Sequence, residues 1–193
     1  LSGKLLSQHL IDVKGLLDPE DLTYGNCFNN EKCLFLADIG IYRGSRGRKK
    51  KKILVFKESH LNKNLIKPDL IMEIKYPGNK KVDAESLCLH PNGDLFIITK
   101  NYSFPRKKAK ISHVFRLEKA SWYNKTGSIK KVKFSKWGRL DLKQIFPGKV
   151  KRKHPNWSYQ VPTSCDISSQ GDKLLVTNYV VALEFNVDLA KGP

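Results

Sequence analysis

The chain repeats itself three times, and few folds accommodate the repeat. Residues 18–40 read DPEDLTYGNCFNNEKCLFLADIG, residues 83–101 read DAESLCLHPNGDLFIITKN, and residues 162–179 read PTSCDISSQGDKLLVTNY. Each copy is a polar start, a short alternating run, a turn and a second run rich in β-branched and aromatic residues. That order is the pattern of an antiparallel hairpin. Gly93-Asp94 and Gly171-Asp172 occupy the same turn, and Asp38, Thr99 and Thr177 then fall at one equivalent position. The first copy has no such Gly-Asp turn and carries a loop flanked by Cys27 and Cys33 instead.

The segments after each hairpin also correspond. Ile53-Leu54-Val55-Phe56-Lys57, His113-Val114-Phe115-Arg116-Leu117 and Val181-Ala182-Leu183-Glu184-Phe185 read as third strands. Leu70–Lys75 and Ile129–Phe134 read as the fourth strands of the first two units. Four short strands per unit predict an all-β chain of four-stranded antiparallel sheets. Such a sheet cannot cover both of its faces alone, so copies must stack, and radial stacking makes a β-propeller. A β-sandwich with similar hairpins is the alternative. Equivalent positions recur at 61 and 78 residues, longer than the roughly 40–50 of compact propeller repeats, with the surplus in basic and polar connections. The expected organisation is one propeller-type domain. Residues 1–17 are a leftover closing strand, 18–80 and 81–140 are blade units one and two, and 141–193 are a linker and an incomplete third unit. About three blades are too few for a ring, since propellers have roughly four to eight. Either the chain is a fragment of a longer propeller, or a homodimer of half-rings completes a six-bladed one with N-terminal strands closing the seams.

Glu20-Asp21-Leu22 with Ala37-Asp38-Ile39-Gly40, and Asp83-Ala84-Glu85-Ser86-Leu87 with Gly93-Asp94-Leu95-Phe96-Ile97-Ile98-Thr99-Lys100, carry a resemblance. They look like secreted six-bladed propeller proteins with E-D-L…A-D-I-G-D-N and D-A-E-A-L…G-x-L-Y-I-V-T-K signatures. The likeness covers residues 18–118 and speaks to fold; Ile41-Tyr42 stand where the signature has Asp-Asn. More distantly the class is similar to calcium-dependent lactonase and paraoxonase-like propellers, whose chemistry sits around the central channel. On that reading Glu20, Asp38 and Glu85 converge near the axis as hard oxygen ligands for Ca²⁺, and a lactonase- or esterase-like hydrolase uses the ion as Lewis acid. The competing reading has these carboxylates bonding backbone amides of adjacent blades. It is preferred because Ser164 and Thr177 replace acids in the third copy and no His recurs beside them. There is no G-x-S-x-G elbow, phosphate loop or H-E-x-x-H motif, so no catalytic residue is assigned.

Charge supplies the remaining signal. The 36 Lys and Arg against 18 Asp and Glu give a net charge of +18, on a chain whose 40% hydrophobic content suffices for a core. Seven of the basic residues are Arg43, Arg46, Arg48, Lys49, Lys50, Lys51 and Lys52, and four are Arg106, Lys107, Lys108 and Lys110. These runs occupy the same loop of units one and two, and Lys149, Lys151, Arg152 and Lys153 precede unit three. Equivalent loops of successive blades emerge on one face, so the excess charge is expected to form a one-sided, salt-sensitive site for a polyanion. A sulfated glycan such as heparin, an acidic protein or a mineral surface fits; nucleic acid fits the charge but not the compartment.

The compartment is read from the cysteines and sequons. Cys27 and Cys33 flank a short polar segment and are expected to pair, leaving Cys88 and Cys165 as a second pair; free thiols are the alternative. The five His stand at no metal-ligand spacing. Asn101, Asn124 and Asn156 open N-x-S/T sequons and are candidate glycosylation sites. Together with a chain that opens Leu-Ser-Gly without Met, these features predict a secreted, processed or trimmed glycoprotein. No apolar run is long enough for a transmembrane helix.

Overall fold

A computed structural model describes residues 5, 7–41, 51–79, 82–100, 102–103, 108–109, 111–123, 129–142 and 161–191. The chain is all-β: its described strands are β1 (Leu10–Ile11), β2 (Pro19–Asn26), β3 (Lys32–Asp38), β4 (Lys51–Lys57), β5 (Leu65–Ile66), β6 (Leu70–Lys75), β7 (Ala84–Leu89), β8 (Leu95–Thr99), β9 (Tyr102–Ser103), β10 (Lys108–Ala109), β11 (Ser112–Leu117), β12 (Ile129–Lys133), β13 (Ser135–Leu140), β14 (Ser164–Ile167), β15 (Lys173–Thr177) and β16 (Ala182–Asn186). Three sheets carry the fold. Sheet one is β2-β3-β4-β6 with β12 outside β6, sheet two is β7-β8-β11-β13, and sheet three is β14-β15-β16. The sheets are open, and among the described residues no helix is long and apolar enough to cross a membrane.

The period of two along each strand decides how the sheets meet. Phe35, Ile53, Val55 and Met72 of sheet one share a core with Leu87, Leu95, Ile97 and Leu117 of sheet two. The alternate residues of sheet two, Cys88, Phe96, Ile98 and Val114, share a second core with Cys165, Ile167, Leu174 and Val176 of sheet three. Sheet two is therefore apolar on both faces, and every residue of β8 is buried. Sheet three alternates instead, turning Asp166, Leu175 and Glu184 to solvent.

The three hairpins are in register with one another. Asp38 lies opposite Pro19 and Lys52, Thr99 opposite Ala84, and Thr177 opposite Ser164 and Ala182. Their turns reach left-handed backbone by different residues. Gly93 (φ +95°) and Gly171 (φ +80°) serve copies two and three, where a side chain would be strained. In copy one Asn29 and Asn30, at φ 52° and 60°, take that role inside the Cys27–Cys33 loop, as Asn tolerates this region.

Two strands depart from the sequence-based organisation. Ile129–Lys133, expected as the fourth strand of unit two, runs parallel to β6 on sheet one, and Ser135–Leu140 takes the fourth position beside β11. Burial explains the exchange: Val132 and Phe134 enter the first core beside Tyr76, while Trp137 meets Phe96 edge-on at 4.7 Å in the second. Among the described residues the N-terminal run does not complete sheet three. Leu10 and Ile11 pair in parallel with Leu65 and Ile66, and Ile11, Val13 and Leu16 cover Leu54 and Phe56 on the outer face of sheet one. That face is apolar because β4 buries side chains on both sides.

One carboxylate joins all three sheets. Asp21 of β2 accepts from the Leu87 amide of β7 at 2.9 Å and from the Ser164 hydroxyl of β14 at 3.1 Å, and the Cys165 amide also donates to it. The Cys88–Cys165 disulfide ties β7 to β14 across the second core, and Cys27–Cys33 closes the neck of the first hairpin. The two loops differ in length, with separations of 77 and 6 residues, so chain entropy assigns them about 4.5 and about 2 kcal/mol. Replacing Cys88 and Cys165 together by Ala should lower urea-measured stability by roughly twice as much as replacing Cys27 and Cys33. Equal losses, or a larger loss for the short loop, would contradict this.

Candidate functional site

The strand ends holding Asp38 and Thr99 gather the least conventional chemistry of the molecule. Five carboxylates and two lysines meet where β2 and β7 begin. Asp38 is fully buried, and its Oδ1 accepts the Asp18 amide at 2.8 Å and the Leu17 amide at 3.3 Å. It thereby fixes the entry of the chain into β2. Asp83 reaches across from sheet two to accept the Ile41 amide at 3.0 Å. Glu85 pairs with Lys100 at 2.6 Å, and the Lys100 amide bonds the Asp83 carbonyl at 2.9 Å.

Gly40 lets two more carboxylates in. A Cβ there would stand 2.0 Å from Glu20 Oε1 and 2.4 Å from Asp18 Oδ2. Both oxygens thus lie over one α-carbon, within the roughly 4–6 Å at which like charges raise each other's pKa. Glu20 is accordingly pushed up to about 8, first by burial and then by Glu85 and Asp18, against the opposing charge of Lys100. Burial likewise raises Asp83, with Lys51 and Lys100 opposing.

Lys51 overturns part of the basic-patch expectation. It is 5% exposed, and its ammonium donates to the carbonyls of Ile39 and Gly40. It shares the inward face of β4 with Ile53 and Val55, so it serves as an internal countercharge rather than as a surface cation. Lys52 turns the other way and donates to the Lys14 carbonyl at 3.1 Å. Lys108 contributes backbone to β10. Arg43, Arg46, Arg48, Lys49, Lys50, Arg106, Lys107, Lys110, Lys149, Lys151, Arg152, Lys153 and the sequon residues Asn101, Asn124 and Asn156 lie outside the described residues.

The three expected calcium ligands are not brought together as a cation cage. Asp38 is turned to backbone amides, Glu85 holds Lys100, and Glu20 faces the carboxylates of Glu85 and Asp18. Among the described residues no group of three or more His, Cys, Asp or Glu side chains could hold a metal ion. The sequence reading missed the lysines of this cluster and the role of Gly40. The lysines had a signal, since Lys51 sits in phase with the apolar face of its strand. Gly40 had none, because only the approach of Asp18 and Glu20 gives its missing side chain a meaning.

No protein-family model matches the chain, and no curated protein matches it in sequence.

The cluster makes a pH prediction with a definite sign. Glu20 ionises near its ordinary 4.5 when unfolded but only near 8 when folded, so folding takes up a proton between these values. Its contribution is fully present below about pH 4.5 and is lost as the pH rises to about 8. The melting temperature of the wild type minus that of Glu20→Gln should fall steadily from pH 5 to pH 8.5. A difference that is constant or rises across this window would contradict the assignment.

Proposed function

We propose that this is a secreted glycoprotein of β-propeller type, with the three sheets as blades, whose basic loops bind an extracellular polyanion of the sulfated-glycan kind. One observation carries the reading. The connections holding the basic runs leave from Asp38 and return at Lys51, and leave from Thr99 and return at Ser112; Asp38 and Thr99 are matched positions of neighbouring sheets joined by the Asp83 to Ile41 hydrogen bond. Both connections therefore leave from the same end of the two sheets. Two closed disulfides support the oxidising compartment in which sulfated glycans occur, and the three sequons fit the same compartment.

Ring completion by a second copy belongs to this reading. Leu22 and Tyr24 remain 54% and 49% exposed at the β2 edge of the outer face of sheet one, beside the part that Ile11, Val13 and Leu16 cover, and a second copy would meet them there. A particle of 22.1 kDa in solution would remove the second copy without touching the polyanion site.

Heparin affinity tests the main proposal. Folded protein should elute from a heparin column well above physiological salt, about 0.15 M, and the logarithm of its affinity should fall linearly with that of salt concentration. Replacing Lys49, Lys50, Lys107 and Lys110 by Glu should bring elution below that point. Folded wild-type protein that elutes below physiological salt would refute the proposal.

A further inference from the structure

The segment Ile129–Leu140 carries Lys130, Lys131, Lys133, Lys136 and Arg139 and no acid. It forms β12 at the edge of sheet one and then, after Phe134, β13 at the edge of sheet two. Its apolar residues look inward: Val132, Phe134 and Leu140 are buried, and Trp137 packs on the second core. Lys131, Lys133, Lys136 and Arg139 are exposed. Lys131 and Lys133 alternate with Val132, so they share the outer face of sheet one. Chain reach sets the spacing of the series. An extended residue spans at most about 3.6 Å, so the α-carbons of successive exposed cations lie within about 7–11 Å of each other, and the strip from Lys131 to Arg139 is shorter than about 30 Å.

Lys75 widens this strip. It is exposed at the end of β6 and stands in register with Lys133 on the neighbouring parallel strand, about 4.8 Å away. Two like charges side by side on one sheet face are destabilising. Protection of a sheet edge accounts for the lysines of β12. It does not account for Lys75, whose strand is paired on both sides, by β4 and by β12. The ion pairs among the described residues involve none of Lys75, Lys131, Lys133, Lys136 and Arg139. Glu73, beside Lys131, is the one acid in register with them. Neighbouring cations thus stand at about the 8 Å over which physiological salt screens a charge, and their fields add.

We infer that Lys75 and the segment Ile129–Leu140 form a second anion-binding surface, which holds a linear sulfated glycan chain along the strand. The ligand class rests on the reading proposed above; the surface does not, because its five exposed cations lie outside the basic runs 43–52, 106–110 and 149–153. A strip this long and one or two cations wide fits a chain with anionic groups along its length better than a compact ion. Each ammonium offers three N–H donors. The Lys75 and Lys133 pair therefore takes one sulfate between its two heads, which relieves their mutual repulsion, while Lys131, Lys136 and Arg139 take groups before and after it. The two surfaces also adjoin in the fold, since the connection that carries Arg43 to Lys50 returns to sheet one at Lys51, opposite Ile74 and one residue from Lys75.

The probe is a fluorescently labelled heparin dodecasaccharide, titrated with the full chain at about 0.15 M salt and read by anisotropy. The double substitution Lys75→Gln with Lys133→Gln should weaken binding at least fivefold and flatten its salt dependence, at a melting temperature no lower than that of the wild type. Lys63→Gln with Lys191→Gln removes the same charge from exposed lysines elsewhere and should change affinity less than twofold. If the first variant does not fold, Lys131→Gln with Lys136→Gln decides, with the same fivefold loss expected. A strip variant that binds like the Lys63 and Lys191 control, while replacement of Lys49, Lys50, Lys107 and Lys110 by Glu abolishes binding, would overturn this inference and leave the basic-loop reading standing. The reverse pattern would support the strip and remove the loops. A wild type that does not bind the dodecasaccharide would overturn both, and equal affinity for an oligothymidylate of similar length would overturn the glycan assignment.

Discussion

The Asp21 carboxylate is the point on which three sheets turn. The first strands of the three sheets, β2, β7 and β14, meet without main-chain pairing between them. Something other than a ladder must satisfy the polar groups there, since an unpaired buried amide costs about 1–3 kcal/mol. Asp21 does so by accepting the Leu22 and Leu87 amides at 2.9 Å, the Ser164 hydroxyl and the Cys165 amide. Burial raises its pKa and these hydrogen bonds oppose the rise. The neighbouring Cys88–Cys165 bond holds β7 and β14 at the same level. Apolar surface brings the sheets together, and this acceptor sets their alignment.

From that alignment the two ends of the sheets acquire opposite jobs. At one end Gly93 and Gly171 make tight turns, and His90 crosses from sheet two to contact the Gly171 carbonyl at 3.1 Å. At the other end Lys51 and Lys100 counter a group of carboxylates from inside. There the Asp83 carboxylate crosses the seam between sheets one and two to the Ile41 amide. The segment 129–140 strengthens the same seam, giving one strand to the outer edge of each sheet.

Much of this was legible in the sequence, and the failures have physical causes. The hairpins and the matched positions of Asp38, Thr99 and Thr177 follow from period-two patterning and from turn glycines, both of which are local. Both cysteine pairs were also legible, from parity and from the loop between Cys27 and Cys33. The exchange of β12 and β13 was not, because Ile129–Phe134 has the stronger strand character while Gly138 and Arg139 weaken the run that occupies the site. Which edge a strand joins depends on where Phe134 and Trp137 find cavities, a tertiary property. The N-terminal run was misplaced for a similar reason: its partner is the outer face of β4, whose double-sided burial becomes visible only with the neighbours in place. Lys51 belongs to a charge run in the sequence, although its phase with Ile53 and Val55 marks it as inward-facing. The Asp21 contacts span three sheets, and the approach of Glu20 and Asp18 to Gly40 joins the two ends of one hairpin; neither has a sequence signal.

Urea denaturation of Asp21→Ala, measured beside the exposed control Asp166→Ala, examines the alignment account most directly. Removing the acceptor strands the Leu87 and Cys165 amides in the seam, so a loss of about 2–4 kcal/mol is expected, with the control within about 0.5 kcal/mol of wild type. An Asp21→Ala protein as stable as the control would mean that the sheets hold their alignment without this carboxylate, and the account would fail.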